Sequence, residues 1–194
     1  RQVSIGVEGN SSGFGLKKIG IEIGSNNHII VDKNGKTNLD NIYAVGDVIG
    51  PPWLAHVSSS EGLYVVEHIA KLSPKKIDYD CVPACTYSKP EIGSIGLSQK
   101  ILDERGIDYK VVKSFFNANG KAVASDSTEG FIKILVSDRN QILGAHIIGS
   151  NATEMISEFS LAMSNNLSVE NILDSIHPHP TFSEAIFETL MQLR

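Results

Sequence analysis

The octapeptide His177-Pro178-His179-Pro180-Thr181-Phe182-Ser183-Glu184 holds the residue types that acid–base chemistry needs. Prolines on both sides of His179 stiffen the backbone and hold the imidazole in a fixed direction. Glu184, in the first turn of the following helix, can reach back to the ring. A carboxylate against an imidazole sets its tautomer, raises its basicity and stabilises the imidazolium. Two other readings stand beside this one. His177-x-His179 could be a pair of metal ligands, although no cluster of further Cys, His or Asp accompanies it. A proline-rich loop followed by a Thr181-x-x-Glu184 capping box involves no chemistry at all.

Ala44-Val45-Gly46-Asp47 places an acidic residue just past a buried apolar run, at the carboxyl end of a strand, where open α/β folds bind ligands. Glycine there lets a ligand approach the backbone, and the Asp either accepts a sugar or ribityl hydroxyl or merely ends the strand. Pro52-Trp53-Leu54-Ala55-His56 opens a helix whose N–H groups and positive dipole end suit an anion or an electron-rich ring edge; the plain alternative is a bare proline-started helix. Gly13-Phe14-Gly15 lacks the third glycine and the preceding strand of a dinucleotide fingerprint and reads as a turn. Cys81 and Cys85, in an extended segment, would have Cα atoms ~13 Å apart, beyond the ~7 Å limit of a disulfide. No second Cys pair completes a zinc site.

These groups need elements to position them. Val3-Ser4-Ile5-Gly6 has the look of a strand end, and 29–32 and 42–45 are β-branched runs bounded by turn residues, hence strands. Residues 54–70 have a helical pattern with Leu63, Val66 and Ile69 on one side. Beyond about residue 77, strands are expected near 84–87, 93–96, 109–116, 130–136 and 142–148, with a hairpin turn at Asn140-Gln141. Helices follow: one behind an Asn151-x-x-Glu154 capping box with Met155, Ile156, Phe159, Ala162 and Met163 at helical spacing, one capped by Ser168, and one after Thr181. Strands followed by helices predict an α+β domain. The apolar late helices, Met155–Met163 and Ile186–Leu190, predict self-association. The 194 residues, 41% hydrophobic and 20% charged with a net charge of −5, can build a core and lack the basic face of a nucleic-acid binder. No apolar run approaches the ~20 residues of a membrane span. Two cysteines and no signal peptide point to a reducing cytoplasm.

Taken in order, Thr37–Asp47, Leu54-Ala55-His56, Tyr87–Gly93, Gly130–Lys133, Ile142–His146 and His177–Glu184 resemble the carboxyl-terminal part of the flavin-dependent pyridine nucleotide–disulfide oxidoreductases, and His-x-His-Pro-Thr-x-Ser-Glu resembles their lipoamide branch. The resemblance implies an interface (dimerisation) domain over 77–194, a mainly antiparallel sheet packed by helices. It would be preceded by the end of a nicotinamide-binding domain (1–30) and the last segment of a flavin-binding domain (31–76). It implies that Asp47 binds the flavin ribityl chain, with Gly46 beside it in the cofactor site, and that the backbone at Leu54, Ala55 and His56 meets the flavin pyrimidine edge. His179 would be the base and Glu184 its orienting partner, acting on the disulfide and flavin of the other subunit of a homodimer. The implied reaction is oxidation of the dihydrolipoyl groups of 2-oxo acid dehydrogenase complexes with NAD+, through FAD and a redox disulfide, in the bacterial cytoplasm or the mitochondrial matrix. The family's amino-terminal flavin fingerprint, redox Cys-x4-Cys and nicotinamide Gly-x-Gly-x-x-Gly do not occur in these residues. Most cofactor contacts would therefore lie elsewhere in a longer protein, and this stretch alone could serve as a non-catalytic homodimerisation module. No metal is implied.

Overall fold

A computed structural model describes residues 6–194, which form two compact units, one ending at Ile77 and the other beginning at Asp78. Val3-Ser4-Ile5, the expected strand end, lies outside the described residues.

The first unit is mostly turns around one helix, α1 (Ala55–Ile69). The runs 29–32 and 42–45 are not strands: they make only isolated bridges, Ile23 with Ile29 and Lys36 with Tyr43. A β-branched run becomes a strand only when a neighbour pairs with it along its length, and no described segment does so here. Residues 13–15 lie in a run of turns and bends. Helix α1 buries Val57, Glu61 and Val65, one stripe at a spacing of four, while Leu63, Val66 and Ile69 face outward.

The second unit is a five-stranded antiparallel sheet: β1 (Ala84–Thr86), β2 (Glu91–Gly96), β3 (Lys110–Phe115), β4 (Gly130–Val136) and β5 (Ile142–Gly149), in the order β1-β2-β5-β4-β3. Between strands lie α2 (Gln99–Arg105) and α3 (Gly120–Ala124); after them come α4 (Ala152–Ser164), α5 (Val169–Leu173) and α6 (Glu184–Leu190). The expected turn joins β4 to β5, with Asn140 left-handed at φ 56° and its N–H on the Ser137 carbonyl.

The register sets the core. Ile95, Ala145, Ile134 and Val112 lie side by side across four strands on one face. Helix α4 packs on β2 and β5, and α6 on β3 and β4. Ile156, Phe159, Ile186 and Leu190 are buried against that face, each such side chain contributing about 1.5–3 kcal/mol. Gly93 allows this approach, because a Cβ there would meet the Ala152 carbonyl of α4. On the opposite face a cross-strand row of Lys113, Lys133 and His146 lies beside α2.

Two readings are corrected here. Met155, Ile156, Phe159, Ile186 and Leu190 of the late helices are covered within the chain and Leu161 is exposed, so the reason for expecting self-association changes while the expectation itself stands. Asn151-x-x-Glu154 does not form a capping box, because Asn151 is left-handed (φ 61°) and its side chain makes no cap bond. Instead Glu91 of β2 accepts from the Thr153 N–H at 3.2 Å and the Thr153 hydroxyl at 2.8 Å, so the first turn is capped by a neighbouring strand. Ser168 does head α5, with Asn171 Oδ1 accepting from its N–H at 2.8 Å. Cys81 stands in a single helical turn and Cys85 in β1, in no disulfide.

Candidate active site

The loop from Asp174 to Ser183 joins α5 to α6 and carries both histidines of the octapeptide. Nδ1 of His179 stands 2.8 Å from Oε1 of Glu184. Oε2 of the same carboxylate accepts the Thr181 N–H, also at 2.8 Å. Glu184 therefore does both things foreseen for it, reaching the imidazole and capping the turn. Only half of the expected capping box exists, since the Thr181 hydroxyl donates to the Pro178 carbonyl and contacts Ser183 Oγ. The Thr181 N–H, then the His179 hydrogen bond, hold the Glu184 carboxyl below its usual value. One turn along α6, partial burial and then the Glu184 charge push Glu188 up.

With Nδ1–H donated to Glu184, a neutral His179 ring carries its lone pair on Nε2. The side chain is 78% exposed while its partner is 22% exposed, so the ring is oriented on one edge and open on the other. A groove of about 390 Å³ runs alongside, lined by Lys121, Met155, Glu158, Pro180, Thr181 and Ser183.

His177 belongs to a different arrangement. Its Nε2 lies 2.9 Å from Oε1 of Glu158 on α4, its Nδ1 faces the Ser175 carbonyl at 3.2 Å, and its ring lies 6.0 Å from that of Phe187 on α6. Both nitrogens are committed to oxygens, which leaves none for a metal shared with His179. Among the described residues no group of three or more His, Cys, Asp or Glu side chains is placed to hold a metal ion. Glu158 has no signature in sequence, being one more acidic residue on an amphipathic helix.

In the first unit, Gly46 and Asp47 begin a helical turn, Gly46–Ile49. Gly46 has φ 76°, and a Cβ there would sit 2.8 Å from Ser58 Oγ, so glycine is what lets this turn lie against α1. Its N–H donates to Oε2 of the buried Glu61 at 2.6 Å. Nothing in the sequence singles out Glu61, because the apolar Leu63, Val66 and Ile69 mark a different face of the helix from the one that is buried. Asp47 is exposed at the start of this braced turn. Leu54 is the N-cap of α1 without a side-chain cap bond, and Ala55 and His56 form its first exposed turn. The structure thus seats Gly46, Asp47 and the 54–56 helix end on one small scaffold. An exposed carboxylate on a glycine turn and an open helix start suit a hydroxylated, anionic or carbonyl-edged group such as a flavin nucleotide.

The second unit thus carries an exposed imidazole held by a carboxylate beside a helix-backed antiparallel sheet. Residues 82–190 match the pyridine nucleotide-disulphide oxidoreductase dimerisation domain, and residues 2–62 match the pyridine nucleotide-disulphide oxidoreductase domain. The chain belongs to this family. Its relatives include the mitochondrial dihydrolipoyl dehydrogenase of Caenorhabditis elegans, 41% identical over 96% of this chain and 38% of the relative, and a dihydrolipoyl dehydrogenase of Bacillus subtilis, 43% identical over 97% and 40%. Among solved structures, LpdA of Mycobacterium tuberculosis superposes with a TM-score of 0.91 at 27% identity, covering 96% of this chain and 41% of that one. The HOCl-induced flavoprotein disulfide reductase RclA of Escherichia coli, as its Cu(II) complex, gives 0.89 at 25%, covering 96% and 43%. The chain spans about two fifths of the length of the curated relatives it matches.

Proposed function

We propose that this chain is the carboxyl-terminal part of a dihydrolipoamide dehydrogenase, and that His179 is its general base. The observation that carries the reading is the 2.8 Å His179–Glu184 pair on an exposed edge of the domain. A dihydrolipoyl thiol has a pKa of ~8.5 and is mostly un-ionised near neutrality. His179 Nε2 takes the S–H proton. The sulfur lone pair then attacks one sulfur of the redox disulfide of the other subunit, forming a mixed disulfide and releasing the second cysteine as thiolate. Glu184, already ionised, stabilises the imidazolium that results.

In this reading residues 1–30 end the nicotinamide domain, 31–76 close the flavin domain, and 77–194 form the interface through which two copies pair. Asp47 holds the ribityl chain of FAD from the Gly46 turn, and the amides of 54–56 meet its pyrimidine edge. When bound, FAD supplies the two-electron relay between the thiols and NAD+. The substrates are the lipoyl groups of 2-oxo acid dehydrogenase complexes, in the bacterial cytoplasm or the mitochondrial matrix. Bacterial and mitochondrial relatives at about equal identity support either location. The test is steady-state oxidation of dihydrolipoamide by NAD+ in the full-length enzyme, with and without a chelator. Turnover that needs His179 and ignores the chelator is expected; turnover that ignores His179, or that the chelator abolishes, refutes the proposal.

A further inference from the structure

We infer that His177 and Glu158 are positioning residues: their pair fixes the loop that presents His179 and thereby sets where the base stands. The inference rests on His179 being the base, and the measurements below separate the two. His177 is 9% exposed and His179 78%, so with prolines at 178 and 180 the loop sends one ring inward and the next outward. The inward ring is gripped from three directions: by Glu158 on α4, by the Ser175 carbonyl on its own loop, and by Phe187 on α6. Only Pro178 separates the two rings, and its carbonyl is held by the Thr181 hydroxyl at 2.7 Å. A shift at His177 therefore reaches His179 and the Thr181 amide with little chain to absorb it.

The two ring nitrogens explain why histidine serves here. A carbonyl oxygen and a carboxyl oxygen face them, and the ring can present an N–H to Glu158 while its other edge lies against the Ser175 carbonyl. Glutamine can keep the N–H toward Glu158; leucine keeps neither. Removing one member of a mostly buried pair leaves the other unmatched, and the cheapest relief is for the loop to move out to water.

The 194-residue chain itself reports the clamp through Glu184, whose carboxyl is held below its usual 4.5 first by the Thr181 N–H. Carbon-detected NMR titration of Glu184 and hydrogen exchange of the Thr181 amide are the readouts. In His177→Leu the Glu184 midpoint is expected to rise toward 4.5 and Thr181 to lose protection, while His177→Gln keeps wild-type behaviour. Glu158→Ala, at a side chain one third exposed, is expected to match His177→Leu and serves if that variant does not fold. A folded His177→Leu or Glu158→Ala chain with unmoved Glu184 and Thr181 overturns the inference. In the full-length enzyme the same two variants should lower kcat about 10- to 10²-fold with KM for NAD+ unchanged, the scale of a ~1 Å misplacement. A displaced Glu184 with normal turnover would support the clamp and overturn the assignment of His179 as base.

Discussion

Glu184→Gln separates the two duties of one carboxylate. In the native loop each oxygen has its own donor, His179 Nδ1 and the Thr181 N–H, both at 2.8 Å. Glutamine offers one oxygen and one NH2. If the oxygen serves Thr181, the NH2 faces Nδ1, which must then accept; the ring proton moves to Nε2 and the base is blocked. If the oxygen serves His179, two donors confront each other at Thr181 and the turn loosens. Neither arrangement keeps the negative charge that supports the imidazolium. General-base catalysis is worth about 10²–10⁴-fold, and the ring itself remains, exposed to water that eases a change of tautomer; a fall of roughly 10–10² in kcat is expected. The assay is dihydrolipoamide oxidation by NAD+ in the full-length enzyme from about pH 6 to 9, with NADH-to-dye turnover as internal control. A kcat within about twofold of wild type would show that Glu184 only caps the turn and takes no part in catalysis.

Four further outcomes are expected. The Thr181 amide shift should be independent of pH above the ordinary Glu carboxyl value of 4.5 and move as pH falls through the lowered folded value, whereas in Glu184→Gln it should be flat; the same sign makes this contact stabilising above that value and lost below it. Phe159→Ala removes a fully buried ring between α4 and the sheet and should lower unfolding stability by about 3–5 kcal/mol in urea titrations; a loss under about 1 kcal/mol would show the core to be misassigned. Gly46→Val forces a β-branched residue to φ 76° against Ser58 and should release FAD from the full-length enzyme on gel filtration, while a flavin content equal to wild type would remove this turn from the site. Sedimentation of the chain at tens of micromolar should show a dimer through the second unit; only monomer would count against the interface assignment.

Much of the second unit was legible because its residues carry the sheet's period. Ile132, Ile134 and Val136 alternate with Phe131, Lys133 and Leu135, and Asn140 supplies the left-handed turn to β5. The first unit was less legible: the same β-branched signal at 29–32 and 42–45 marks strands only where partners lie alongside, and pairing is not a local property. Asn151 shows a similar limit, since a capping sequence says nothing of the left-handed backbone that withdraws its side chain. The His179–Glu184 pair could be read from a spacing of five residues across a stiffened turn. The His177–Glu158 and Gly46–Glu61 pairs could not, because nineteen and fifteen residues separate partners that only packing brings together.

The claim at the centre is that His179 ionises a thiol presented from outside this domain. Its most direct test is His179→Ala in the full-length enzyme, assayed both for dihydrolipoamide oxidation and for NADH-to-dye turnover, which requires no thiol to be ionised. Dihydrolipoamide oxidation should fall about 10²–10⁴-fold while dye turnover and flavin content stay at wild-type levels. Dihydrolipoamide oxidation close to wild type would contradict the account.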